Sequence, residues 1–155
     1  MAEFISDKDK ETLRQMFDER LTAEVTISLF TQRLTGLTLP GVDPQQSRFC
    51  ADANQLMEEV ASLSDKIRLE MYDFVTSGEK VREYRIDKIP AIVLEGGEDS
   101  VAPRFFGMPS GYEFSTFLQD ILDVSNNTIE LEEDTQEQLK LIERPVHIQV
   151  FVTPT

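Results

Sequence analysis

The chain alternates between segments with apolar residues at helical spacing and shorter segments that are almost continuously apolar. Ser6 or Asp7 can cap a first helix that runs to about Arg20, because apolar residues recur on one face of that segment. Residues 24–31 are apolar at most positions, which is typical of a central strand covered on both faces. The first 31 residues therefore predict a helix followed by a buried strand.

The same patterns continue along the chain. A helix opening at Ser47 carries one apolar stripe, formed by Ala53, Leu56, Met57, Val60 and Leu63. Strands are predicted at 66–74, at 89–94 and around 104–106, a short helix at 78–84 and a longer one at 111–124. Gly96-Gly97 favours a hairpin that makes the last two strands antiparallel. We therefore expect an α/β fold: a mixed four-stranded sheet, helices on both faces and an extra N-terminal helix, an order that resembles the thioredoxin fold.

The C-terminal part of the chain repeats the hydrophobic pattern of its N-terminal part. Residues 130–144 indicate an acid-rich helix that ends before Pro145, and residues 146–152 form an apolar run like that of residues 25–31. A repeat at domain-sized spacing suggests a second copy of one module. We expect residues 1–127 to form one complete module and residues 128–155 the first helix and strand of a truncated second one. An unpaired apolar strand of this kind is expected to associate with other chains.

Charge and cysteine content narrow the function classes. The net charge of −14, from 29 acidic against 15 basic residues, argues against nucleic-acid or anionic-membrane partners, which need basic clusters. No apolar run approaches the ~20 residues of a membrane span, and the acidic N-terminus does not resemble a secretion signal. A single cysteine excludes an internal disulfide and a cysteine-based zinc site. We expect a cytoplasmic location, no metal and no cofactor.

The candidate chemistry lies in Ser47-Arg48-Phe49-Cys50, which follows a long loop over residues 33–46. A cysteine at a helix start benefits from unpaired backbone N–H groups and the helix dipole, which stabilise a thiolate. If Asp43-Pro44 starts the helix early, Cys50 falls in the second turn and this benefit weakens. Wherever the helix starts, Cys50 is better explained as a small buried core thiol than as a catalytic one, since free cysteines are commonly buried. The three tyrosines are expected to pack with their hydroxyl groups in water: Tyr72, Tyr84 and Tyr112.

Most of the chain is similar to the N-terminal part of the protein disulfide oxidoreductases, a glutaredoxin-like tandem thioredoxin-fold family. The segments that carry this resemblance are 84–91, 106–114, 120–125 and the closing 150–155, whereas region 33–49 departs from the family pattern. The resemblance implies dithiol–disulfide exchange at a Cys-x-x-Cys beside a cis-proline loop. Carried over by position, Ser47 replaces the attacking cysteine, Cys50 matches the resolving one, and Ile89-Pro90 forms the cis-proline loop that binds extended substrates.

A serine cannot replace the attacking thiol, so the motif is degenerate. The leading expectation is a structural or substrate-binding N-terminal module, with dithiol chemistry in an absent C-terminal module. Its expected partners are protein or peptide substrates with thiols or disulfides, that missing module and, as an open alternative, further copies of the chain. Two other hypotheses stay open: a single-thiol redox module that acts through a mixed disulfide at Cys50, and a non-redox peptide-binding module that uses Ile89 and Pro90.

Overall fold

The computed structural model describes residues 3–32, 44–97, 102–128 and 131–152, with the side chains of residues 44–47 outside that description. The helices and strands follow the predicted order. In sequence they are α1 (Asp7–Arg20), β1 (Val25–Thr31), α2 (Pro44–Ala61), β2 (Ile67–Asp73), α3 (Gly78–Glu83), β3 (Ala91–Glu95), β4 (Arg104–Phe106), α4 (Tyr112–Asn126) and α5 (Glu133–Lys140). No helix in these described ranges is long and apolar enough to cross a membrane.

The four strands form one mixed sheet in the order β2-β1-β3-β4. β1 and β2 are parallel, whereas β3 runs antiparallel to β1 and β4 antiparallel to β3. β1 is a central strand, and every residue in it except Thr26 is buried. The predicted topology is confirmed. The predicted turn at Gly96-Gly97 is only partly described, because residues 98–101 lie outside the described ranges.

Helices cover both faces of the sheet, as predicted. One face forms the larger core with α1, α2 and α4, built around Phe17, Ile27, Leu29, Met57, Val60, Ile92, Leu94, Phe117 and Ile121. The predicted apolar stripe of α2 is entirely buried in this core. The other face packs against α3 in a smaller core of Phe30, Ile86, Ala91 and Val93, flanked by Tyr72, Tyr84 and Ile89. The short α3 helix therefore covers the face of the sheet opposite α2, the motif helix, which contains Ser47 and Cys50.

The N-terminal helix is capped and tied down by side chains. Ser6 caps α1 by accepting a hydrogen bond from the backbone N–H of Asp9 at 3.2 Å. The Glu59 carboxylate of α2 accepts hydrogen bonds from the backbone N–H groups of Phe4 at 3.1 Å and Ile5 at 3.0 Å. Lys10 Nζ lies 3.6 Å from the same carboxylate. The extra helix is thus anchored to the helix that carries the motif.

The predicted strand over residues 146–152 is wrong for the described part of the tail. Residues 131–152 contain α5 and no strand, and their side chains are exposed except that of Gln136, which is half-buried. The apolar composition of 146–152 suits a strand, but a strand also needs a neighbour to satisfy its backbone groups, and none pairs with it here. The division into residues 1–127 and 128–155 stays a prediction.

Candidate redox site and cis-proline loop

Helix α2 begins before the motif. Its first residue is Pro44, so the alternative of an early start is confirmed and the expected start at Ser47 is wrong. Proline suits the first helical position because its fixed φ matches the helix and it lacks an N–H that would be unpaired there. Cys50 consequently lies in the second turn, where the influence of the helix dipole has largely fallen off. The helix dipole therefore acts on Cys50 less strongly than it would if α2 began at Ser47.

The Cys50 side chain is completely buried, with 0% of its surface exposed. Its neighbours in sequence behave differently, since Arg48 is exposed and Phe49 is 46% exposed. A protein disulfide cannot reach a sulfur in this position without movement of the surrounding side chains. The outer surface of this part of α2 therefore presents an apolar and a cationic side chain, while the thiol faces the interior.

Ser47 occupies the position expected of an attacking cysteine, three residues before Cys50, and its backbone lies within α2. Its side chain and most of the preceding loop, residues 33–43, lie outside the described residues. Cys50 is the only cysteine of the 155-residue chain, so an intramodular disulfide cannot form. The roles assigned to Ser47 and Cys50 stay predictions.

The Ile89–Pro90 peptide bond is cis, as expected from the resemblance. Pro90 is buried and precedes β3, and its carbonyl oxygen accepts a hydrogen bond from the backbone N–H of Gly107 at 2.8 Å. β3 begins at Ala91, which pairs with Phe30 near the end of β1. The loop at Pro90 therefore lies beside the C-terminal end of β1, where the chain leaves the sheet toward α2, the helix that contains Ser47 and Cys50. The substrate-binding role of Ile89 and Pro90 stays a prediction.

The sequence did not reveal a polar network on the α3 face of the sheet. Glu95 accepts hydrogen bonds from the hydroxyl group of Tyr84 at 2.8 Å and from that of fully buried Ser28 at 2.7 Å. Burial and the hydrogen bond to Glu95 together raise the pKa of the Tyr84 phenol. These partners come from different segments of the chain, so periodicity along one segment gave no signal for the network.

The expectation for the tyrosines needs correction. The Tyr72 hydroxyl group donates to Glu70, and this bond together with burial raises the pKa of Tyr72. Tyr72 and Tyr84 also pack on the Phe30 ring, with centroid distances of 5.1 and 5.3 Å. Tyr112, in contrast, is 84% exposed and is not a packing residue. The hydroxyl groups of the two packed tyrosines thus have carboxylate partners instead of water alone.

Comparison with solved structures identifies the architecture. The chain superposes on a protein disulfide oxidoreductase from Aeropyrum pernix with a TM-score of 0.76 and 24% identity, over 96% of this chain and 60% of that one. It also superposes on the alkylhydroperoxide reductase protein AhpF from Enterococcus faecalis with a TM-score of 0.67 and 25% identity, over 88% of this chain and 60% of that one. The chain is a thioredoxin-fold module. The resemblance to thiol–disulfide oxidoreductases of this fold is confirmed.

Curated relatives of this thioredoxin-fold module are longer proteins. A protein named NADH dehydrogenase from Ferdinandcohnia aciditolerans is 25% identical over 127 residues, which is 82% of this chain and 22% of that protein. An alkyl hydroperoxide reductase component from Pseudomonas aeruginosa is 28% identical over 96 residues, which is 62% of this chain and 16% of that protein. No family model matches the chain. The module thus corresponds to a minor part of each curated relative.

Proposed function

We propose that this chain is a non-catalytic thioredoxin-fold module of a larger thiol–disulfide oxidoreductase, where it binds substrate segments or supports packing. The observation that carries the proposal is that its single thiol, Cys50, is fully buried beside a serine-substituted motif position. Exchange through a dithiol needs one thiol to attack and a second to resolve the mixed disulfide. A chain with one inaccessible thiol lacks both requirements.

In this proposal, the dithiol chemistry takes place in a C-terminal module that contains an intact Cys-x-x-Cys. The lengths of the relatives support this arrangement, because the chain covers only part of each of them. The cytoplasmic location expected from the sequence stays a prediction, and so does the assignment of residues 128–155 to that second module.

Substrate binding would use the end of the sheet beside the cis-proline loop. The half-buried Ile89 precedes Pro90 in this loop, and Phe49 presents an exposed ring on the motif helix. Exposed aromatic side chains are frequent anchors in protein interfaces because they bury a large area with few rotatable bonds. A thioredoxin-fold module can therefore retain binding after it has lost redox chemistry.

Insulin reduction by dithiothreitol tests the proposal. We expect the 155-residue chain to leave the rate at the uncatalysed background, and a version extended through the second module to accelerate it. Ser47→Cys restores two thiols at the motif spacing, and Ser47→Cys with Cys50→Ala is its matched single-thiol control. Robust turnover by the unmodified chain would overturn the proposal.

The single-thiol alternative makes a different demand on Cys50. It requires the sulfur to contact a bulky disulfide in the folded protein, which the complete burial of Cys50 disfavours. Iodoacetamide labelling in buffer and in urea separates the two hypotheses. Labelling of the native chain at the rate of the unfolded chain would favour the single-thiol module.

A further inference from the structure

Strand β4 forms one outer edge of the sheet and pairs with β3 alone among the described strands. On the β3 side, the carbonyl oxygen of Pro103 accepts a hydrogen bond from the N–H of Leu94, with an N···O distance of 3.2 Å. The N–H of Gly107 donates to the carbonyl oxygen of Pro90, just before β3, at 2.8 Å. Alternate residues of an antiparallel strand direct their backbone groups to opposite sides. The N–H and C=O groups of Arg104 and Phe106 therefore point away from β3, toward the free edge.

The side chains of the same two residues lie on one face of the sheet, because they are two positions apart. Phe106 is 47% exposed, and Lys88 Nζ lies 5.3 Å from the centroid of its ring. Arg104 is exposed and makes no ion pair with any described residue. The free edge thus combines outward backbone groups with an exposed aromatic ring and two cationic side chains.

This edge contrasts with the charge of the whole chain, which is −14. A second copy of the chain would present the same residues on its own β4, Arg104, Phe105 and Phe106, and none of them is a carboxylate that could pair with Arg104. An incoming strand with carboxylates would instead meet Arg104 and Lys88 as opposite charges. We propose that the β4 edge, defined by Arg104, Phe106 and Lys88, binds an extended acidic polypeptide segment by strand addition.

The second free edge of the sheet, β2, does not offer the same features. Its exposed Arg68 is already paired with Glu24, and Glu70 accepts the hydrogen bond of Tyr72. On the β4 edge, Lys88 lies 2.9 Å from Asp87, but both of these side chains are exposed and such a pair is weak in water. Arg104 has no competing carboxylate among the described residues and is the main cation offered to a partner.

The geometry of β4 specifies the side-chain pattern of the added strand. Residues at every second position of the added strand lie on the same face as Arg104 and Phe106. A carboxylate beside Arg104 would pair with its positive charge, and an apolar side chain beside Phe106 would pack on its ring. The preferred segment therefore alternates acidic and apolar residues on that face. This inference does not rest on the chemistry of Cys50, and it involves a different part of the surface from the motif helix.

Chemical-shift mapping on the 15N-labelled 155-residue chain tests it directly. The probes are two capped extended peptides, Glu-Thr-Val-Thr-Glu and its counterpart with lysine in place of both glutamates. We expect the acidic peptide to shift the amides of residues 104–106, with affinity that falls as salt rises from about 50 to about 500 mM, since salt screens exposed charges (a Debye length of about 10 Å at 0.1 M). The lysine peptide should leave these amides unchanged.

Variants then assign the effect to named side chains. Arg104→Glu should weaken binding of the acidic peptide by about fivefold or more, as expected for loss and reversal of one exposed charge pair, and Phe106→Ala should also weaken it. Arg14→Glu, which makes the same change of charge on α1, and Phe4→Ala, which removes an exposed ring near the start of α1, should leave binding at β4 intact. Equal shifts with both peptides, no shift at 104–106 at millimolar peptide, or shifts confined to β2 would each overturn the proposal.

Discussion

The hydroxyl group of Ser125 donates a hydrogen bond to the carbonyl oxygen of Ala23 at 2.7 Å, and this contact joins the end of α4 to the start of β1. The same hydroxyl oxygen accepts hydrogen bonds from the backbone N–H groups of Thr22 at 3.1 Å and Ala23 at 3.0 Å. Ser125 is buried whereas Thr22 and Ala23 are exposed, so its one oxygen satisfies three backbone groups at a partly buried site.

Ser125→Ala should therefore lower the free energy of unfolding by about 1–3 kcal/mol, because two N–H groups and one carbonyl lose the hydrogen bonds that they make with one buried hydroxyl group. Urea denaturation followed by far-ultraviolet circular dichroism measures the change. Ser115→Ala is the matched control, since its hydroxyl group bonds the carbonyl oxygen of Tyr112 on an exposed surface. Equal losses of unfolding free energy in the two variants would show that burial of the hydroxyl group does not determine the loss.

The anchor at Glu59 should make the N-terminus sensitive to acid. Burial alone would raise the pKa of Glu59, but hydrogen bonds from Gln55, Phe4 and Ile5 and the charge of Lys10 lower it overall. A lowered folded-state pKa contributes stability above the unfolded value of about 4.3, and this stability is lost as pH falls through the folded value. The amides of Phe4 and Ile5 should thus be protected at neutral pH and lose protection as the pH falls below the unfolded value and through the lowered folded one.

Hydrogen exchange at these two amides, read by mass spectrometry or NMR, checks this. Glu59→Gln should remove most of the pH dependence of the protection. Glu58→Gln, one position along α2 with an exposed side chain, is the control and should retain it. Protection that is unchanged by Glu59→Gln would contradict the role of the carboxylate.

The Tyr84–Glu95 hydrogen bond predicts a loss of stability in alkali. The raised pKa of Tyr84 means that the folded state favours the neutral phenol. Its contribution is complete below the unfolded value of about 10 and is lost as pH rises through the folded value. Tyr84→Phe should flatten the decline in unfolding free energy above about pH 10, whereas Tyr112→Phe, at an exposed site, should not change it.

The edge-to-face contact of Phe117 with Phe105, at a centroid distance of 5.3 Å, lies in the larger core. Phe117 is completely buried, so Phe117→Ala should lower the free energy of unfolding by about 3–5 kcal/mol, because apolar burial is lost and a cavity is left. Thermal and urea unfolding would measure it. Tyr112→Ala, on the same helix but exposed, should cost less than about 0.5 kcal/mol. A small effect of Phe117→Ala would indicate that the core refills the space.

Labelling of Cys50 should report global opening of the chain. Because the sulfur is fully buried, a neutral thiol reagent should react only when the structure opens, and the rate should rise along the urea unfolding curve. Phe49→Cys in a Cys50→Ala background supplies an exposed thiol one position away as the control, and it should react in buffer alone. Equal rates at the two positions would mean that the Cys50 side of α2 is open in the native state.

The order of elements followed from local patterns, because periodicity depends on neighbours within a few positions along the chain. Val25–Thr31 was identified as a central strand from its apolar composition, and the stripe of α2 from its spacing. The start of α2 depended on Pro44, a local signal that the sequence offered as an alternative. These features could be predicted because each is encoded within one segment.

Features that depend on distant segments could not be predicted in the same way. The carboxylate partners of Tyr72 and Tyr84 come from the arrangement of the sheet, and Ser125 reaches Thr22 across most of the chain. Residues 146–152 have the composition of a strand, but composition does not supply the neighbouring strand. The sequence favoured a small buried core thiol at Cys50, and the structure places the sulfur in that way.

The carboxylate that anchors the N-terminal residues and the thiol of Cys50 belong to one continuous helix of 18 residues. Two backbone hydrogen bonds and an ion pair join Glu59 of this helix to Phe4, Ile5 and Lys10. Unfolding of α2 would therefore expose the Cys50 sulfur and free the backbone N–H groups of Phe4 and Ile5 in the same event.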